Sequence, residues 1–80
     1  MDDDELLRQI GELVEEEHRL REHKPGEALD EGRLARLSEL EVRLDRFWDL
    51  LRRRRAREEY GDSPDAEQLR PADVVEHYKN

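Results

Sequence analysis

Leu37, Leu40, Leu44, Phe47 and Leu51 follow one another at alternating steps of three and four residues. A strand cannot use that spacing, because alternate residues of a strand share a face. A helix can, and the alternating step is the seam by which one helix packs along another. Leu34 and Trp48 widen the stripe on one flank. The spacing predicts a helix over residues 30–60, roughly 45 Å long at 1.5 Å per residue. Gly61 suits a left-handed cap at its end, with Pro64 beyond.

A shorter helix is expected over residues 3–23. Asp2 or Asp3 can cap it, Glu5 stands three residues after Asp2, and acids at this end suit the helix dipole. Leu6, Ile10, Leu13, Glu17 and Leu20 make its apolar stripe, with Leu7 and Val14 alongside. Asp4/Arg8, Glu15/Arg19 and Glu17/Arg21 are favourable i,i+4 pairs. Lys24 and Pro25 stop the helix, since the residue before proline avoids helical geometry. The turn then occupies 24–29. In the tail, 61–80, Pro64–Leu69 and Pro71–Tyr78 can each form a turn or two of helix. Neither holds alone, so Leu69, Val74, Val75 and Tyr78 either dock or stay mobile.

Two amphipathic helices across a short turn make an antiparallel hairpin. The register sets Leu20 against Leu34, Leu13 against Leu40, Ile10 against Leu44, and Leu6 against Phe47 or Trp48. The fold class is therefore all-α, with residues 1–60 as a hairpin of one short and one long helix and 61–80 as its tail. Both stripes are wider than one partner helix covers. The hairpin is expected to pair with a second copy as a homodimer, forming a four-helix bundle.

Charged residues make up 48% of the chain and the hydrophobic set 34%, a balance that on its own leans toward disorder. The periodicity argues instead for long surface helices. There is no cysteine, which excludes disulfides, thiolate metal sites and a cysteine nucleophile. No apolar run approaches a membrane span, and no leader is evident. The expectation is a soluble cytoplasmic protein, without membrane contact.

Against a net charge of −8, the stretch "RRRRAR" collects Arg52, Arg53, Arg54, Arg55 and Arg57. Five clustered arginines can grip phosphates. No aromatic residue interleaves with them, and the overall charge repels a polyanion. The hairpin register brings Asp2, Asp3, Asp4 and Glu5 back beside Arg52–Arg54, and Asp49/Arg53 is an i,i+4 pair. Arg54/Glu58 and Arg55/Glu59 have the weaker orientation. The block reads as internally compensated, with no nucleic-acid partner and an acidic protein partner as the second choice. The interaction residues are thus Leu37, Leu40, Leu44, Phe47, Trp48 and Leu51 with Arg52–Arg55 and Arg57.

Catalytic equipment is absent. Threonine and cysteine are missing, Ser38 and Ser63 sit in no nucleophile motif, and the glycines form no phosphate loop. The alternative reading is a metal-binding helical bundle. Glu15 and His18 have the Glu-x-x-His spacing of ferritin-like di-metal sites, and Glu41 can supply a bridging carboxylate. Around the helix that pair points sideways or outward, so no cofactor is expected. Glu17 lies mid-stripe, where a buried carboxylate needs a cation, with Arg33 and Arg36 in reach. Its expected role is to fix register, and in the metal alternative it joins Glu15, His18 and Glu41 as a ligand. His23 reads as a dipole-favourable residue at the helix end.

"MDDDELL", "ELVEEEHRLRE", "RLARLSELEVRLDRFWDLLRRRRAREEYG" and the tail "DSPD…LRPADVVEHY" resemble a family of actinobacterial proteins of roughly this length (80 residues), labelled only as a domain of unknown function. The resemblance covers nearly the whole chain and is most specific over "ELEVRLDRFWDLLRRRRAR". It implies a cytoplasmic bacterial protein and carries no activity, cofactor or catalytic residue. The reading is a non-enzymatic interaction or scaffold protein that self-associates and takes a protein partner.

Overall fold

A computed structural model describes residues 1–22 and 30–79, the side chains of 78 and 79 excepted. Helix α1 spans Asp3–Arg21 and α2 spans Glu31–Glu59. A 3-10 turn at Pro64–Ala66 and helix α3, Ala72–Lys79, complete the chain. The expected helices over 3–23 and 30–60 are thus present and slightly shorter. The end of the first is set by Glu22, whose extended backbone closes it. The expected turn at 24–29 and the reading of His23 lie outside the described residues.

Each boundary has a local cause. Asp2 accepts from the Glu5 backbone N–H at 2.8 Å, and Asp30 does the same for Arg33 at 2.7 Å; both satisfy a donor that has no partner within the helix. At the far end of α2, Gly61 has φ +78°. There the Asp62 N–H reaches the Arg57 carbonyl at 2.8 Å and the Gly61 N–H reaches Glu58 at 3.1 Å. This paired closure is a Schellman motif, and it turns the chain back along α2.

α1 packs against α2, and the turn and α3 pack against α2 as well. The long helix is therefore a spine covered on two sides. Leu6, Ile10, Leu44, Leu50 and Leu51 form the core cluster, with Leu13 and Phe47 against it. Leu37 and Leu40 are buried further along the same seam, and Val75 is buried on α3. The molecule measures 52 × 26 × 15 Å, so its core is one side chain deep. Among the described residues no helix is long and apolar enough to cross a membrane.

A thin core concentrates stability in a few side chains. Leu6 and Leu40 are both 0% exposed, and truncating such a leucine costs about 2–5 kcal/mol from lost burial and the cavity left behind. Leu40→Ala is expected to lower stability by that amount in urea unfolding. Tyr60→Ala, at a side chain 84% exposed, should cost less than about 1 kcal/mol.

Candidate functional site

The arginine-rich end of α2 has its partners inside the chain. Arg54 is buried and donates through Nε to Asp3 at 2.7 Å, while its Nη1 reaches the Pro64 carbonyl and Asp65, each at 3.3 Å. Arg57 Nε meets Glu67 at 2.6 Å. Arg53 bonds the other oxygen of Glu67, the Gln68 carbonyl at 2.7 Å and Asp49 at 3.0 Å. Arg70, arriving from the C-terminal segment, donates two hydrogen bonds to Asp49. Arg46 completes the row through the Arg70 carbonyl at 2.9 Å. Arg52 and Arg55 are exposed and make no ion pair among the described residues.

Among the described residues, Asp3 is the one N-terminal acid that reaches the block. Most of the compensation, which the acidic N-terminus was expected to supply, comes instead from residues 64–70. Asp49/Arg53 forms at 2.9 Å. Arg54/Glu58 does not form, because Arg54 is drawn to Asp3 and the tail; Arg55/Glu59 does not form either, and both side chains stay exposed.

Electrostatics follow geometry. The Arg70 guanidinium, then Arg53, holds the Asp49 carboxyl below its ordinary value of 3.8 against the opposing effect of burial. Arg57 and Arg53 lower Glu67 from 4.5. Asp3 and Asp65 raise Arg54, so it stays charged although buried.

Further along the hairpin, Arg36 grips Glu16 with two bonds of 2.6 and 3.0 Å and holds Glu39 with a third. Arg21 meets Glu41 at 2.8 Å. Glu17 is half-buried and takes Arg21 at 3.8 Å. Neither expected interhelix partner reaches Glu17: Arg36 pairs one residue earlier, and Arg33 caps the Glu22 carbonyl at 3.2 Å. Asp4/Arg8 and Glu15/Arg19 do not pair; Arg8 approaches Glu5 at 3.9 Å.

Of the residues of the metal alternative, Glu17 and Glu41 meet at one nitrogen of Arg21, at 3.8 and 2.8 Å, while Glu15 and His18 line a separate surface hollow with Val14 and Arg19. Both Glu15 and His18 are exposed on the outer side of α1. Among the described residues, no group of three or more His, Cys, Asp or Glu side chains is placed to hold a metal ion.

Seven large apolar side chains remain exposed among the described residues, and four share one edge. Leu7 and Val14 lie one heptad apart on α1, and Leu34 and Trp48 lie two heptads apart on α2. Counted along the antiparallel helices, Leu7 falls near the level of Trp48, Val14 near Glu41 and Arg21 near Leu34. The four are between 40% and 51% exposed. Of the other sequence-predicted interaction residues, Leu37, Leu40, Leu44 and Leu51 are buried inside the hairpin and Phe47 is partly so.

A family model described as a protein of unknown function (DUF2630) matches residues 2–80. The chain belongs to this family. An uncharacterized protein of Mycobacterium tuberculosis is 42% identical over 77 residues, covering 95% of this chain and 88% of the relative. A Mycobacterium bovis counterpart matches to the same extent. No solved structure matches the chain.

Two predictions come from the arginine network. Asp49→Asn keeps the shape of a buried acceptor but removes the charge that two guanidinium groups share. It should cost about 1.5–3 kcal/mol in urea unfolding, the range for hydrogen bonds to charged groups. The second concerns pH. Asp49 and Glu67 titrate lower when docked than when free, so the docked state binds fewer protons. Their contribution is therefore complete above the ordinary values of 3.8 and 4.5. It declines as the pH falls from there through the lower docked values. Helicity and stability should thus be flat in these groups from pH 7 to about 5 and fall in more acidic solution.

Proposed function

We propose that this protein is a non-enzymatic helical interaction module of the cytoplasm that works as a homodimer. The observation that supports it is the edge formed by Leu7, Val14, Leu34 and Trp48. A monomer rarely leaves its large apolar side chains aligned in register along one face. The seam leucines are already covered within the chain, so the surface left for a second copy is this edge.

The edge also has a self-complementary arrangement. A two-fold axis at the Val14/Glu41 level sets the Leu7/Trp48 end of one copy against the Arg21/Leu34 end of the other. Trp48 then lies on the partner's Leu34, and the Arg21–Glu41 pair of each copy lies between the two Trp48–Leu34 contacts, near the axis. This is an isologous interface, in which one patch serves both copies. Trp48 is its natural anchor, because a large aromatic ring contributes much area at little cost in side-chain entropy. Any further protein partner would use the same edge, and a nucleic acid would have to displace the carboxylates on Arg53, Arg54 and Arg57.

Sedimentation or light scattering is expected to give twice the chain mass at micromolar concentration. Trp48→Glu and Leu7→Glu change exposed positions, so both variants should be monomeric with unchanged helicity. A wild type that stays monomeric at about 100 μM, weaker than about −5.5 kcal/mol of association, would contradict the proposal.

A further inference from the structure

The hairpin edge opposite Trp48 is not flat. Between α1, α2 and the C-terminal segment lies a half-open cleft of about 500 Å³, within the range of small-molecule sites. Its floor is Leu13 and Phe47, continuous with the core, and Leu69 makes the far wall. Arg8, Arg43 and Arg46 line it together with Gln9 and Glu12.

The gathering of these arginines sets the cleft apart. The chain carries 23 acids against 15 lysines and arginines, and Arg21, Arg36, Arg53, Arg54, Arg57 and Arg70 each hold a carboxylate within 3.0 Å or slightly more. In the cleft that pattern fails. Arg19, Arg52 and Arg55 also hold no carboxylate among the described residues, but only as separate exposed side chains; in the cleft three loosely held arginines gather over apolar side chains. Arg43 meets no carboxylate at ion-pair distance among the described residues. Arg46 is bound through Nε to the Arg70 carbonyl, which leaves its outer nitrogens without a carboxylate. Arg8 has only Glu5 at 3.9 Å. Glu12 stands in the lining, and no ion pair ties it to any of the three. Local charge is therefore positive over an apolar floor. The net negative charge of the chain does not cancel it, since exposed charges beyond about 8 Å are screened at physiological salt.

We propose that this cleft binds a small amphiphilic anion. Its carboxylate lies on Arg43 and Arg46, with Arg8 at the mouth, and a single aliphatic chain rests on Leu13, Phe47 and Leu69. Guanidinium groups suit that head because they present paired donors to a planar carboxylate. The site depends on the docked C-terminal segment, because the bond from Arg46 to the Arg70 carbonyl holds Leu69 in place as a wall. It is independent of self-association, which concerns the other edge.

Calorimetric titration with decanoate, and with decanol as the uncharged probe, tests this on the full chain. Wild type is expected to bind decanoate at least tenfold more tightly than decanol, at one site per chain. Arg43→Gln, which touches neither the core nor the tail contacts, should weaken decanoate at least fivefold and leave decanol unchanged. Leu69→Ser should weaken both. Equal affinity for the two probes, an unaffected Arg43→Gln variant, or no binding of decanoate by a folded wild type would each overturn the proposal.

Discussion

Asp49 is a carboxylate that the seam forces out of water. It stands between Trp48 and Leu50 on α2, is 7% exposed, and has Arg53 one turn away on its own helix. Leaving such a charge half-compensated costs several kcal/mol. Arg70 completes the compensation, and Arg70 belongs to the C-terminal segment. Docking that segment is how the buried charge is satisfied. The Gln68 and Arg70 carbonyls, the Glu67 carboxylate and Val75 follow from that one placement. The rest of the tail's position depends on it.

This constraint divides the labour around α2. One side of the helix is apolar and receives α1. Another is built of Arg46, Asp49, Arg53 and Arg57 and receives the tail. A chain this charged thereby covers its spine on two sides with a core only one side chain deep. Two edges remain. The first carries aligned apolar residues around the Arg21–Glu41 pair, and the second carries Arg43 and Arg46, which meet no carboxylate at ion-pair distance among the described residues. Both functional proposals rest on what the internal pairing leaves over. The arginine block, which invites a nucleic-acid reading, is largely consumed in holding the chain together.

Much of this was legible in the sequence, and the failures have a common cause. The cap at Asp2, the left-handed Gly61, the packing of α1 along α2 and the Asp3–Arg54 contact all follow from hydrophobic period and local turn chemistry. The docking of the tail does not, because hydrophobic periodicity detects one face of a helix and is silent about a face that binds through charge. A faint signal existed. Val42, Arg46, Asp49, Arg53 and Arg57 step by four, three, four and four, a second stripe beside the leucine seam, and Leu50 sits between the two stripes. Glu17 shows a finer limit. Its place in the stripe was readable, but one residue of register decided that Glu16 would take Arg36.

Residue-resolved amide hydrogen exchange at pH 7 tests the central claim, that charged contacts dock the tail onto α2 within one chain. An eight-residue helix such as α3 does not persist alone in water, so any protection there reports docking. The Val74 and Val75 amides, bonded to the Pro71 carbonyl at 3.1 and 3.2 Å, should exchange at least about tenfold more slowly than in a free peptide. That protection should not change on dilution. Free-peptide exchange in α3 beside protected amides in α1 and α2 would contradict the account.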